Sequence, residues 1–180
     1  MKITVISFTL CFALILCSCV RKQPLSVIPD KDTAESQYLY AYMYHKSTIP
    51  PAESQALHAM YIGLILRYQK VVERFPDDMQ YTPEAILHIA RLMNAQNQNQ
   101  RCVNYLEAAL PLYRDKLPQF EARALYRIGL SLDRQKKYAE AKVIYKECTQ
   151  KFSGYTDPVI KDSVMRCNRL YNAAHIEAGA

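Results

Sequence analysis

The chain has 180 residues, 50% of them hydrophobic and 4 of them Gly, with a formal charge of +6. That length fits a single domain able to bury a core, and that hydrophobicity excludes a disordered chain. The basic residues are interleaved with Asp and Glu. The adjacent pair Lys136-Lys137 sits at a predicted turn, so the composition predicts a solvated surface and no nucleic-acid partner.

Lys2 precedes an apolar run from Ile3 to Leu16, about the length of a secretory h-region and shorter than a membrane span. It closes on Leu16-Cys17-Ser18-Cys19, with a small residue directly before Cys19. This stretch resembles the lipobox of bacterial lipoprotein signal peptides. The resemblance implies that residues 1–18 are removed and that Cys19 is lipidated. An uncleaved signal anchor is the alternative. Val20 stands where Asp would retain an enterobacterial lipoprotein in the inner membrane, which points to the outer membrane, facing the periplasm. Residues 19–32 carry Pro24, Pro29 and mixed charge without periodicity, and read as the lipidated N-terminus and its tether.

From there the pattern is helical, in a domain expected over residues 33–175. Asp32-x-x-Glu35 has capping-box spacing and predicts a helix opening at Thr33, carrying Tyr38, Tyr40, Tyr42 and Tyr44 and ending at Ser47 to Pro51. Ala52 to Phe75 repeats apolar residues at helical spacing, and Pro76 stops it. Pro83 opens the next helix with Ile86, Ile89, Ala90 and Met93, and Asn97 to Gln100 form a polar turn. A helix with Cys102, Val103, Leu106 and Ala109 follows, containing Pro111. Pro118, Tyr138 and Pro158 mark the last three helices, the second stopping near Gly154. No segment reads as a strand.

The helices pair. Leu125-x-x-Ile128-Gly129-x-x-Leu132 followed by Ala141-x-x-x-Tyr145 resembles the tetratricopeptide repeat, with Leu125 where Trp is usual and Ser153 where Pro is usual. Gly129 and Ala141 would let the two helices nest. In the preceding pair Ala90 answers Gly129 and Cys102 answers Ala141. Leu64-x-x-x-Tyr68 with Pro76 matches half of a first pair, in which Ala41 answers Gly129. The expected fold is all-α, an antiparallel helix-pair, tetratricopeptide-like right-handed solenoid of about three repeats plus a capping helix. Repeats joined to a lipobox, with Tyr68 to Pro76, are similar to the outer-membrane assembly lipoproteins of the BamD (YfiO-like) type. That family carries more repeats than the about three this chain offers.

The resemblance implies a non-catalytic, lipid-anchored envelope scaffold that binds a protein or peptide and takes no cofactor. In such repeats the first helix of each pair lines a concave groove. Transferring positions gives Glu84, Leu87, Arg91, Asn94, Arg123, Tyr126, Leu130, Asp133 and Arg134, with Tyr38, Tyr42 and His45 from the first helix. Tyr and Arg dominate interface energetics, so the contact candidates are Tyr38, Tyr42, Arg91, Tyr126 and Arg134. Tyr40, Tyr68, Tyr105 and Tyr145 read as core.

His45, His58, His88 and His175 show no metal-ligand spacing, the folded part has no C-x-x-C, and Asp77-Asp78 beside Pro76 reads as a solvated turn. No metal site and no catalytic residue are predicted. The alternative function is a membrane-anchored enzyme or accessory subunit with thiol chemistry at Cys102, Cys148 or Cys167. The last two fall on consecutive helices, which leaves a disulfide between them open.

Overall fold

The computed structural model describes residues 27–177, and their side chains as far as residue 173. Residues 1–18, Cys19 and most of the tether therefore lie outside the described residues. Within them are seven α-helices and no strand: α1 (Ala34–Ser47), α2 (Ser54–Arg74), α3 (Tyr81–Ala95), α4 (Asn99–Tyr113), α5 (Pro118–Arg134), α6 (Tyr138–Phe152) and α7 (Pro158–Glu177). None of these is long and apolar enough to cross a membrane. Each helix packs on the next, and α1, α3, α5 and α7 also pack in succession. The result is a tetratricopeptide-like array with odd-numbered helices as one layer and even-numbered helices as the other.

Several helix starts differ from the predicted ones by a residue or two, and at α1 and α3 the cause is visible. The capping box is Thr33 with Ser36, one residue later than Asp32 with Glu35: Thr33 Oγ1 accepts from the Ser36 N–H at 3.1 Å. Helix α3 begins at Tyr81, ahead of Pro83. Asp78 Oδ1 takes the N–H groups of Gln80 and Tyr81 at 3.0 and 2.5 Å. Pro83 then falls within the first turn, where a missing N–H costs no helical bond. Asp78 is thus a helix cap. Asp157 does the same for α7, accepting from Val159 and Ile160 at 2.9 and 3.0 Å.

The repeat is visible in the turns as well. Asn97 and Lys136, equivalent residues in successive pairs, both take the left-handed conformation, at φ 57° and 62°. Each is followed by the same closing bond, Gln98 N–H to Met93 O at 2.9 Å and Lys137 N–H to Leu132 O at 3.0 Å, which satisfies the helix-end carbonyl. Neither turn uses Gly.

The core runs between the layers and includes Tyr68, Leu87, Ile89, Leu106, Leu125, Ile128, Tyr145, Phe152 and Ile160. Burying an aliphatic or aromatic side chain of this kind contributes about 1.5–3 kcal/mol. Gly129 sets the closest approach. A Cβ there would lie 2.3 Å from the Tyr145 ring, so only a bare backbone lets α6 sit this deep on α5. Ala41, Ala90 and Ala141 are likewise fully buried.

Cys102, Cys148 and Cys167 are buried free thiols, each serving as a small core residue. The hydrogen bond with the Cys148 side chain, and burial after it, push the Cys167 thiol far above its ordinary value. The two therefore meet across α6 and α7, as thiols rather than as a disulfide.

An ionic site lies in the core. Glu121 is buried on α5 and is held by Lys151 at 2.7 Å and Arg114 at 3.3 Å. Those contacts tie α5 to α6 and to the turn after α4.

The folded unit also reaches further back than Thr33. Gln37 is buried and binds the backbone of Pro29 and Lys31, while Lys70 contacts the Asp30 carboxylate at 2.6 Å and the Ile28 carbonyl at 2.9 Å. Residues 28–31 are thereby fixed against α1 and α2, although the sequence gives them the look of a tether.

Candidate functional site

The odd-numbered helices form one layer, with an aromatic surface on α1 and arginines on α3, α5 and α7. At the α1 end an aromatic–imidazole cluster fills the space between α1, α2 and α3. His88 stacks on Tyr68 with ring centres 4.7 Å apart and planes 3° from parallel. The Tyr38 hydroxyl and His88 Nε2 share a hydrogen bond of 3.2 Å, as do the Tyr68 hydroxyl and His45 Nδ1. Tyr38 stacks on Tyr42, and the Lys46 ammonium stands 5.5 Å from the Tyr42 ring centre.

Burial holds His88 neutral, its pKa lowered to about 4, with His45 and nearby arginines adding to the effect. His45 is lowered by the same causes, burial first and Arg91 next. Tyr38 is pushed up to about 12, mainly by burial. The cluster is a hydrogen-bonded wedge of neutral imidazoles, with the Tyr38 and Tyr68 hydroxyls held protonated by burial.

The centre and far end of the face are cationic. A cavity of about 410 Å³ is lined by Arg91 of α3, by Arg123, Tyr126 and Arg127 of α5, and by Val159, Asp162, Ser163 and Arg166 of α7. Arg123 makes a two-pronged ion pair with Glu84, the second contact at 3.0 Å. Asp162 takes Arg166 at 2.8 Å, and the Arg166 guanidinium lies 5.7 Å from the Tyr126 ring centre. Arg127 carries no such partner among the described residues. Its pKa is lowered by burial and by the charges of Arg91 and Arg123.

The five predicted contact residues therefore divide. Arg91 and Tyr126 line one cavity. Tyr38 and Tyr42 are half-buried at the other end of the same face, in the aromatic cluster. Arg134 lies outside the cavity, where its guanidinium donates to the Asn94 carbonyl at 3.1 Å and closes the end of α3. Of the wider groove set, Leu87 and Asn94 are buried, contrary to expectation. Asn94 Oδ1 accepts from Ser131 at 2.8 Å, between the two helices. Helix α3 is rotated so that these two positions face α5 and the core.

Sequence reasoning missed Arg127 and Arg166. Arg127 follows Arg123 by one helical turn, a spacing that places both on one face. Arg166 was hidden by reading α7 as a cap, although α7 packs on α5 as another inner helix.

Among the described residues no group of His, Cys, Asp or Glu is arranged to hold a metal. Helical-repeat folds of this kind typically serve as interaction scaffolds. No curated protein matches the sequence. Residues 123–154, which are most of α5 and all of α6, match the family model of the tetratricopeptide repeat, and the helix pairs around them continue that architecture.

Proposed function

We propose that the chain is a non-catalytic, lipid-anchored adaptor of the bacterial envelope that holds a protein or peptide partner in the groove of α3, α5 and α7. The observation that carries this reading is the cavity itself. Arginines and a tyrosine from three successive inner helices converge there, and these are the side-chain types that anchor interfaces. Arg91 and Tyr126 are its contact residues, with Tyr38 and Tyr42 extending the surface towards α1.

The anchor rests on Leu16-Cys17-Ser18-Cys19 and on Val20 after the cysteine, which favours the periplasmic face of the outer membrane. The likeness of the repeats and lipobox to outer-membrane assembly lipoproteins makes that assembly process the setting in which to look for the partner. Because Ile28 is fixed to Lys70, the chain from Cys19 can extend at most roughly 30 Å. The groove would then work close to the membrane surface.

Two measurements test the reading. Fatty-acid labelling is expected in the wild type and absent in Cys19→Ala; equal labelling overturns the anchor. A photoreactive side chain at Tyr126 should crosslink to a defined partner in cells, and Arg91→Ala should abolish the adduct. The same probe at Lys146, on the exposed face of α6, should give none. Adducts at Lys146 without any at Tyr126 would overturn the groove.

A further inference from the structure

Four arginines meet in one concavity with too few acids to neutralise them. Of the cavity's lining residues, Arg91, Arg123, Arg127 and Arg166 are cationic and Asp162 is anionic. Asp162 is engaged by Arg166 within α7, and Glu84 by Arg123 across α3 and α5. Arg91 and Arg127 are left without an ion pair among the described residues. Like charges held together in a partly desolvated pocket repel one another, and the free protein bears that cost. Burial first, and Arg91 next, pull the Arg127 guanidinium below the ordinary arginine value.

We infer that the partner segment seated in this groove is acidic, presenting two or more Asp or Glu carboxylates to Arg91, Arg127 and Arg166. This rests on the groove being a partner-binding surface. Guanidinium groups bind carboxylates through paired, charge-assisted hydrogen bonds, and clustered arginines are a recurring means of reading acidic motifs. Tyr126 and Val159 supply apolar wall beside the charges, and Ser163 a hydroxyl, so side chains flanking the carboxylates also find contacts. A nucleic-acid backbone fits less well. The arginines are gathered in one cavity of about 410 Å³ rather than along a track that a continuous run of phosphates would need.

The test uses the full chain in detergent and fluorescence anisotropy with three probes. These are a fluorescein-labelled peptide alternating Glu and Leu, its Gln and Leu counterpart, and an oligothymidylate of equal charge. The Glu peptide is expected to bind at least tenfold more tightly than either of the others, and to weaken as salt rises. Arg91 and Arg166 are exposed, so Arg91→Glu and Arg166→Gln should leave the helical circular dichroism unchanged while each weakening the Glu peptide about tenfold. Lys146→Gln should not weaken it.

Equal binding of the Glu and Gln peptides, or full binding by Arg91→Glu, overturns the acidic partner. Binding of the oligothymidylate as tight as that of the Glu peptide reassigns the cavity to nucleic acid and overturns it too. If the Glu peptide fails while the Tyr126 probe still crosslinks in cells, the acidic assignment falls and the adaptor reading stands.

Discussion

The two ends of the array solve the same packing problem with opposite chemistries. Where α5 meets α6 and α7, the helices close on a missing side chain: Gly129 admits the Tyr145 ring, and Cys148 and Cys167 fill the remaining space. Where α1 meets α2 and α3, the space between the helices is filled by Tyr38, Tyr42, Tyr68, His45 and His88, joined by two hydrogen bonds. The first junction depends on shape and the second on protonation state. The repeat architecture therefore requires a snug interhelical contact without prescribing how it is made, and each pair is vulnerable to a different perturbation.

The largest effect should come from filling the tight junction. Gly129→Ala is expected to destabilise by about 2–3 kcal/mol in urea unfolding, because overpacking against Tyr145 outweighs the helix-propensity gain of Ala. Tyr145→Leu in the same chain should recover part of the loss, and an additive double mutant would refute the direct clash.

Acid should break the other end. The His88 pKa in the folded state, about 4, lies below the ordinary histidine value of about 6.5. On falling from pH 6.5 the unfolded chain binds a proton that the folded chain refuses, so stability declines with falling pH across that window. The loss at pH 4.5 is expected to be about 2 kcal/mol. His88→Phe should flatten the profile between pH 7 and 4.5, and an unchanged slope would assign the acid sensitivity elsewhere.

Arg134→Ala should cost about 0.5–1 kcal/mol through the lost cap on α3. It should leave groove crosslinking at Tyr126 intact, separating this residue from Arg91. The smallest effect is chemical. Buried as they are, Cys102, Cys148 and Cys167 should stay unreactive towards a bulky disulfide reagent in the native protein and react on unfolding. Rapid native reaction of any of them would revive thiol chemistry as a function.

The tight junction was the legible one. Gly129, Ala141 and Tyr145 stand at repeat spacing, and steric exclusion at a helix crossing leaves few residue types to choose from. The wedge at α1 was partly legible: its tyrosines at alternate positions are conspicuous, but their partner His88 comes from α3 and carries no local signal. Tyr68, by contrast, reads as core from its helical stripe, and it is fully buried. In the groove, Arg91 and Tyr126 could be placed from the repeat register. The position of Arg134 on the same helix face suggested a contact residue, whereas the nearby end of α3 offers its guanidinium a carbonyl.

What the sequence determined by itself is local and periodic. Prolines, polar turns and apolar stripes specify which segments are helices, and the recurrence of small residues specifies that they pair. What only the tertiary structure decided is how charge is distributed. Along the chain the basic residues alternate with acidic ones and look evenly solvated. In three dimensions Arg91, Arg123, Arg127 and Arg166 come from three helices into one cavity. Helix packing sums charges over neighbouring faces rather than over neighbouring residues, and that sum is set by the rotation of each helix against the core.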